Sequence, residues 1–245
     1  MATSVRGERP VGGLLREWRE RRRLSQMALA LRAEISTRHL SFVETGRARP
    51  SRELLLHLAE HLDLPLRDRN RLLLAAGYAP VYAERPLDAP QLATVRAALR
   101  RVLAGHEPYP ALVVDRRWDL VEANAPVALL TAGVAPALLA PPVNVLRLSL
   151  HPDGLATRIA NLGEWRAHLL ARLRREVALT ADAALAGLLD ELRGYPCDQP
   201  EPRPDLPGPS DIAIPLRLRH AGGALAFFST VATFGTPLDI TVAEL

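Results

Sequence analysis

The sequence predicts two parts of different class: a bundle of five short helices over residues 10–77, then a mixed α/β domain with a small antiparallel sheet. Three observations lead there. In the first third, apolar residues recur at helical spacing between serine caps and glycine or proline stops. Further on, short strand-like runs flank two long helical stretches. Charge divides at the same boundary: residues 1–80 hold 15 Arg against 9 acids, a net of +6, whereas residues 81–245 hold 16 Arg against 18 acids, a net of −2.

The helices of the first part follow in order. Leu14, Leu15 and Trp18 share one face, ringed by Arg16, Arg19, Arg21, Arg22 and Arg23. Leu24 ends that helix. Ser25 then caps a helix from Gln26 to about Arg32, Ala33-Glu34-Ile35 is a tight connection, and Ser36 caps a helix from Thr37 to Glu44, stopped by Gly46. Ser51 opens a fourth helix with Leu54, Leu55, Leu58 and Leu62 as its buried stripe; Pro65 breaks it, and a fifth runs from about Arg67 to Ala76. Residues 78–90 carry three prolines and little periodicity, which reads as a linker.

In the second part, Leu92, Val95, Leu99 and Val102 on a helix from Gln91 to Ala104 have the spacing of a helix–helix seam, suited to two subunits. Ala111–Val114 and Trp118–Ala123 read as two strands joined at Asp115-Arg116-Arg117, and Asn124 as the cap of a short helix through about Leu130. Residues 133–143 form an Ala/Pro-rich loop. Asn144–Leu150 fits either a helix or an extended segment. Two long helices follow, from Leu155 to Val177, interrupted near Gly163 or not, and from Asp182 to Arg193. Six prolines in residues 196–211 demand a loop, and three strands, about Ile212–His220, Ala224–Phe234 and Leu238–Ala243, close the chain. The middle one is apolar on both faces, as a central strand would be; Pro215 favours an edge for the first.

Composition sets limits. A chain of 245 residues with 48% apolar and 24% charged residues is ordinary for a globular protein, which excludes global disorder and collagen-like structure. No apolar run reaches the roughly 18–20 residues of a membrane span, and the start has no secretory apolar core. The expectation is a cytoplasmic protein without membrane contact. The single cysteine, Cys197, excludes an internal disulfide and a Cys-rich zinc site. His57 and His61 lie four apart, but no third ligand is evident, so no metal is expected. Gly-rich phosphate loops, nucleophile elbows and zinc-protease motifs are all missing, so the expectation is no enzyme and no catalytic residue.

The strongest local signal is LSQMALALRAEISTRHLSFVETGRARPS, residues 24–51, which fits a helix-turn-helix. Ala30 is small where the two helices cross, and Ile35 and Leu40 plug the core. The second helix would lie in a DNA major groove. Gln26, at a helix start, can reach a phosphate. Ser36, Thr37, Arg38, His39, Ser41 and Phe42 form the candidate reading surface: Arg can bond guanine at two points, Ser and Thr either donate or accept, and a ring packs on a thymine methyl. Arg47 and Arg49 suit phosphates, adding affinity and salt dependence without reading sequence. The rival reading is a helical bundle with a solvated arginine face, used for protein contacts.

Residues 11–77 resemble the XRE/Cro-type helix-turn-helix domains of bacterial repressors, which implies a lambda-repressor-like bundle. The run RHLSFVETGRARPSRELLLHLAEHLDLPLRDRNRLLLAAGYAP is similar to the MmyB-like subfamily. DRRWDLVEANAP (115–126) and NVLRLSLHPDGLATRIANLGEWRAHLLARLRRE (144–176) are similar to that subfamily's PAS-like C-terminal ligand-binding domain. The resemblance implies a sequence-specific, homodimeric transcription regulator: residues 1–80 bind operator DNA, 81–90 link, and 91–245 bind a ligand and dimerise. For some members of that domain family it implies a fatty acid as the ligand; no other cofactor is expected.

A PAS-like sheet crossed by helices would hold its ligand between the two layers. Candidate apolar lining residues are Trp118, Leu146, Leu150, Trp165, Leu169, Phe227, Phe228 and Phe234; ordinary core is the competing reading of each. Among polar residues, Arg147 and His151 lie four apart and could clamp a carboxylate with Asn144. Equally, Asn144, His151 and Asp153 could cap helices or turns while Arg147 makes a surface ion pair. Function therefore stands between a regulator sensing a small apolar or amphiphilic molecule and one whose second domain only dimerises or docks a protein partner.

Overall fold

A computed structural model describes residues 10–202 and 214–245. The described residues divide into two compact units, one of residues 10–86 with 235–243 and one of residues 87–202 and 214–234 with 244–245.

The first unit is built on five helices: α1 (Val11–Arg21), α2 (Gln26–Arg32), α3 (Thr37–Glu44), α4 (Arg52–His61) and α5 (Leu66–Ala75). Local chemistry places the starts of three of them. The hydroxyls of Ser25, Ser36 and Ser51 accept from the backbone N–H of Ala28, His39 and Leu54, each three residues on, satisfying donors that a helix start leaves open. Pro65 precedes α5 rather than simply ending α4, since a proline loses nothing at a helix entrance. Leu15, Leu29, Leu40, Leu55, Leu58, Leu62, Leu72 and Leu73 form one sealed core. Burying a leucine side chain contributes about 1.5–3 kcal/mol, so this cluster outweighs any single polar contact around it.

Residues 78–86 have no helix, as expected, but they do not hang free. Asn70 on α5 accepts from the N–H groups of Val81 and Tyr82 and donates to Tyr82 O at 2.7 Å. Tyr78 packs on the core and donates its hydroxyl to Pro50 O. Residues 240–243, expected as a strand, form a short helix in this unit, α11 (Ile240–Ala243). The Asp239 carboxylate accepts from Thr241 N, which starts a helix where the β-branched sequence alone favours extension.

The second unit begins with a turn at Pro90–Leu92 and α6 (Ala93–Gly105). Of the expected seam, Leu92 and Leu99 are buried within the unit together with Leu103, whereas Val102 is 63% exposed. The spacing therefore serves an internal face, and Val102 falls off it. Strands β1 (Leu112–Val114) and β2 (Leu120–Ala123) pair antiparallel, Leu112 opposite Ala123. Trp118 is not in the strand. Asp115 Oδ1 accepts from Arg117 N and Asp119 N, closing a turn in which Trp118 takes φ +67°. Asn124 does not cap the helix after it; buried, it braces the α6 end, accepting from Ala111 N and donating to Leu103 O and Tyr109 O.

A turn at Ala125–Val127 leads to α7 (Ala128–Thr131), and Asn144 caps α8 (Val145–Leu150). The expected 155–177 helix splits. Ala156–Arg158 is a single 3-10 turn, and α9 (Leu162–Thr180) starts after Asn161. The break has a cause: Ile159 and Ala160 bond to the edge of β3 (Leu216–His220), with Ala160 N donating to Arg217 O at 2.7 Å. Asp182 caps α10 (Ala183–Arg193), and α8, α9 and α10 enclose Leu146, Leu150, Trp165, Leu173 and Leu192. β3 pairs antiparallel with β4 (Gly223–Phe227) in a second two-stranded ladder, so among the described residues the strands form two small antiparallel sheets rather than one. In β3 only Leu218 is buried, while Arg217, Arg219 and His220 are exposed; β4, expected to be central, has no buried residue. The expected strand start at Ile212 lies outside the described residues.

Candidate nucleic-acid interface and second-domain site

In the first unit α2 and α3 pack through small residues. Ala30 and Ala33 are buried, Ile35 N donates to Ala30 O at 3.0 Å, and Glu34 takes the left-handed turn position at φ +51°. That brings α3 across α2 with its outer side free. Ser36, Thr37, Arg38 and His39 are exposed; Ser41 and Phe42 are half-buried on the next turn. The Phe42 ring lies between two guanidinium groups, 5.3 Å from Arg38 and 5.9 Å from Arg47. Each stacked cation holds an extended side chain in place at little entropic cost. Arg49 lies over Tyr78 and donates to Ala76 O, so it is anchored to the end of α5. Arg38, Arg47 and Arg49 make no ion pair among the described residues, which leaves a cationic rim around α3.

Gln26 is half-buried, and its amide nitrogen donates to Glu44 Oε2 at 2.8 Å. One amide hydrogen remains for an outside acceptor. Glu44 in turn belongs to a brace that the local pattern does not show. Arg19 on α1 meets it at two points, Nε to Oε1 at 2.7 Å and Nη2 to Oε2 at 2.9 Å, and donates Nη1 to Leu24 O. Gly12 lets α1 approach this place: a Cβ there would lie 2.5 Å from the carbonyl oxygens of Val43 and Glu44. Of these residues only Gln26 stood among the candidates. A carboxylate at the inner end of a reading helix and an arginine on the first helix are the signal present in the sequence, but nothing local joins residues 25 apart.

The candidates of the second unit separate. Asn144 is buried and fully engaged, accepting from Arg147 N and donating to Arg117 O and Asp119 Oδ1. Arg147 is held at two points by Glu191, at 2.8 and 2.7 Å, on the surface. His151 ends α8; its Nδ1 accepts from Asp153 N and its ring meets Tyr195 edge-on. Each of the three is already engaged within the fold, Asn144 through both amide atoms, Arg147 through Nε and Nη2, and His151 through Nδ1. Trp165 is buried with its Nε1 donating to Ser149 Oγ, and Leu146, Leu150 and Leu169 are core. Trp118 is half-buried, donates to Glu176 and carries Arg172 over its ring at 4.5 Å. Phe227 is half-buried against the core and Phe234 half-buried, but Phe228 is 68% exposed, since it follows the last paired strand residue.

Among the described residues no group of His, Cys, Asp and Glu could hold a metal ion, and no helix is long and apolar enough to cross a membrane. His57 instead bonds Ala33 O through Nε2.

A five-helix bundle presenting a helix-turn-helix, joined to a mixed α/β domain, defines a DNA-binding transcription regulator with a ligand-binding domain. Residues 10–72 match a family described as helix-turn-helix domain, and residues 95–245 match the MmyB-like transcription regulator ligand binding domain. The chain belongs to the MmyB-like family of XRE-type helix-turn-helix regulators. Neither family is enzymatic. Among curated proteins, none matches the chain.

Proposed function

We propose that the protein binds operator DNA as a homodimer, reading bases with Thr37, Arg38 and Ser41 and holding phosphates with Gln26, Ser36, His39, Arg47 and Arg49. The observation that carries this is the exposed start of α3, with Arg38 stacked on Phe42 and free of acidic partners among the described residues. Phe42 is left to meet a thymine methyl with the edge of its ring. One such helix reads only a few base pairs; two, about 34 Å apart, read a palindrome. Selection from a random duplex library, then fluorescence anisotropy on the selected duplex, tests it. A two-fold symmetric site and a complex of two chains are expected. Failure to enrich any sequence at low salt would sink the reading.

The effector of the second domain is a small apolar or amphiphilic molecule, with a fatty acid as the leading candidate. What supports an apolar ligand is that Asn144, Arg147 and His151 already have partners, so the surfaces left to a ligand are aromatic and aliphatic, Trp118 and Phe227 among them. Such a ligand acts only if it binds one conformation better than another. Mass spectrometry of an organic extract of the purified protein is the test. A stoichiometric amphiphile is the expected result; its absence, with no tryptophan fluorescence response to dodecanoate, leaves the second domain as a dimerising or partner-docking module.

A further inference from the structure

The two stretches of chain that lead into and out of the second unit are fastened to each other inside the first. Ala83 and Asp239 form a parallel bridge, and Ile240 N donates to Ala83 O at 2.8 Å. Thr241 Oγ1 donates to Arg85 O at 2.6 Å, and Arg85 Nη1 meets Asp239 Oδ2 at 2.8 Å. Ile240 is 2% exposed, and Asp239 and Val242 are each buried. This short segment belongs by sequence to the stretch matching the ligand-binding domain, yet it is packed with α5. The chain thus leaves the first unit after Pro86, re-enters it at Gly235 and leaves it again after Ala243, so that the bonded stretches adjoin its crossings into the second unit.

We infer that residues 239–243 form a clasp through which the state of the ligand-binding unit reaches the recognition helix. The route inside the first unit is contiguous. The clasp holds Ala83–Arg85; the adjoining Val81 and Tyr82 hang from Asn70 on α5. α5 packs on α1, and α1 grips the end of α3 through Arg19–Glu44 and the close approach at Gly12. The clasped stretches adjoin the places where the chain crosses into the second unit, so a rearrangement there that pulls on either stretch strains the clasp. Four of its residues are buried or bonded through side chains, which makes it a discrete engaged state with a released alternative. The inference rests on DNA reading by α3 and on no particular ligand.

The test is a double-mutant cycle in the full-length protein. Leu173→Ala, or the milder Leu173→Val, perturbs the sealed core of the second unit from within. Ile240→Ser breaks the clasp; Arg85→Ala, at a partly exposed position, loosens it with less risk to folding. Coupling between sites runs from about fivefold upward, so with the clasp intact Leu173→Ala should change the dissociation constant for the selected duplex by about fivefold or more, and with it broken by under about twofold. Hydrogen exchange supplies a second readout: the Ile240 and Ala243 amides should be protected in the wild type and lose protection in Ile240→Ser, with faster exchange in α5. Equal effects of Leu173→Ala with and without the clasp, or unprotected amides at 240–243 in the wild type, overturn the inference. Loss of all duplex binding in the wild type would instead indict the DNA reading, and the exchange data would still decide the clasp.

Discussion

Arg19 on α1 and Glu44 at the end of α3 form a two-point ion pair whose side chains are only 9% and 1% exposed. A buried carboxylate with no cation would face the full cost of desolvation, so the pair ties two helices together only while both partners are present. The Arg19 pKa is raised, chiefly by its hydrogen bond to Glu44. Breaking one side is costly: Arg19→Met should destabilise the first unit by about 3–5 kcal/mol, because it strands Glu44. The double variant Arg19→Met with Glu44→Leu should recover much of that loss. Chemical denaturation of the single and double variants checks it; additive losses would contradict the pairing.

The close approach next to that pair gives a cleaner contrast. Gly12 and Gly13 are neighbours in α1, and alanine has the better helix propensity at both by about 0.5–1 kcal/mol. A Cβ on Gly13 meets nothing nearer than 3.9 Å, so Gly13→Ala should be neutral or stabilising. On Gly12 it would sit 2.5 Å from backbone oxygens of α3, which cannot swing aside. Gly12→Ala should cost about 1–3 kcal/mol and lower duplex affinity by displacing α3. Melting curves and anisotropy on the two variants separate propensity from packing.

These cases show what a sequence displays and what it hides. The caps at Ser25, Ser36 and Ser51 are legible because each is a bond over three residues, and the exposed face of α3 follows from the buried Leu40 and Val43. The Arg19–Glu44 pair is hidden, since which of many arginines meets which acid depends on how helices cross. The second unit was legible as a mixture of helices and strands but less so in detail. Ile159 and Ala160 look helical by composition and are pulled to the edge of β3, while residues 240–243 look extended and are turned by Asp239. In both, tertiary partners overrule local preference. Residue type alone cannot tell a waiting donor from one already used, as Arg147 is by Glu191.

Base reading and phosphate holding should come apart in the variants around α3. Arg38→Ala should relax preference at one or two base positions and cost about 1–3 kcal/mol on the best site. Arg47→Ala should weaken all duplexes alike and reduce the salt slope by about one counterion. Arg47 is the cleaner phosphate probe. Arg49 also donates to Ala76 O, so its loss disturbs α5 as well as binding. Binding isotherms at several salt concentrations, on the selected duplex and on single-base variants of it, distinguish the two. A uniform loss from Arg38→Ala would remove it from the reading surface.

The cluster beside α8 makes the pH dependence of the second unit predictable. Glu191 accepts from Arg147 at two points and from the Tyr195 hydroxyl at 2.6 Å. Its pKa is lowered, first by the Arg147 hydrogen bonds. The folded state therefore holds Glu191 ionised where the unfolded chain would protonate it, and this stabilisation is present above the ordinary carboxylate range and lost as pH falls through it. The carboxylate is 37% exposed, so solvent screening keeps the effect small. Tyr195 runs the other way. Burial, then its bond to Glu191, pushes its pKa from 10.0 up to about 12. Folded protein keeps that proton where the unfolded chain loses it, so the contribution is intact below pH 10 and disappears as pH rises toward 12. Tyr195 should thus ionise late in a tyrosinate absorbance titration of folded protein. Tyr195→Phe should abolish that late step, and Glu191→Gln should move it back toward 10 while flattening the acid limb of stability against pH. A late step that survives Tyr195→Phe would contradict its assignment to Tyr195.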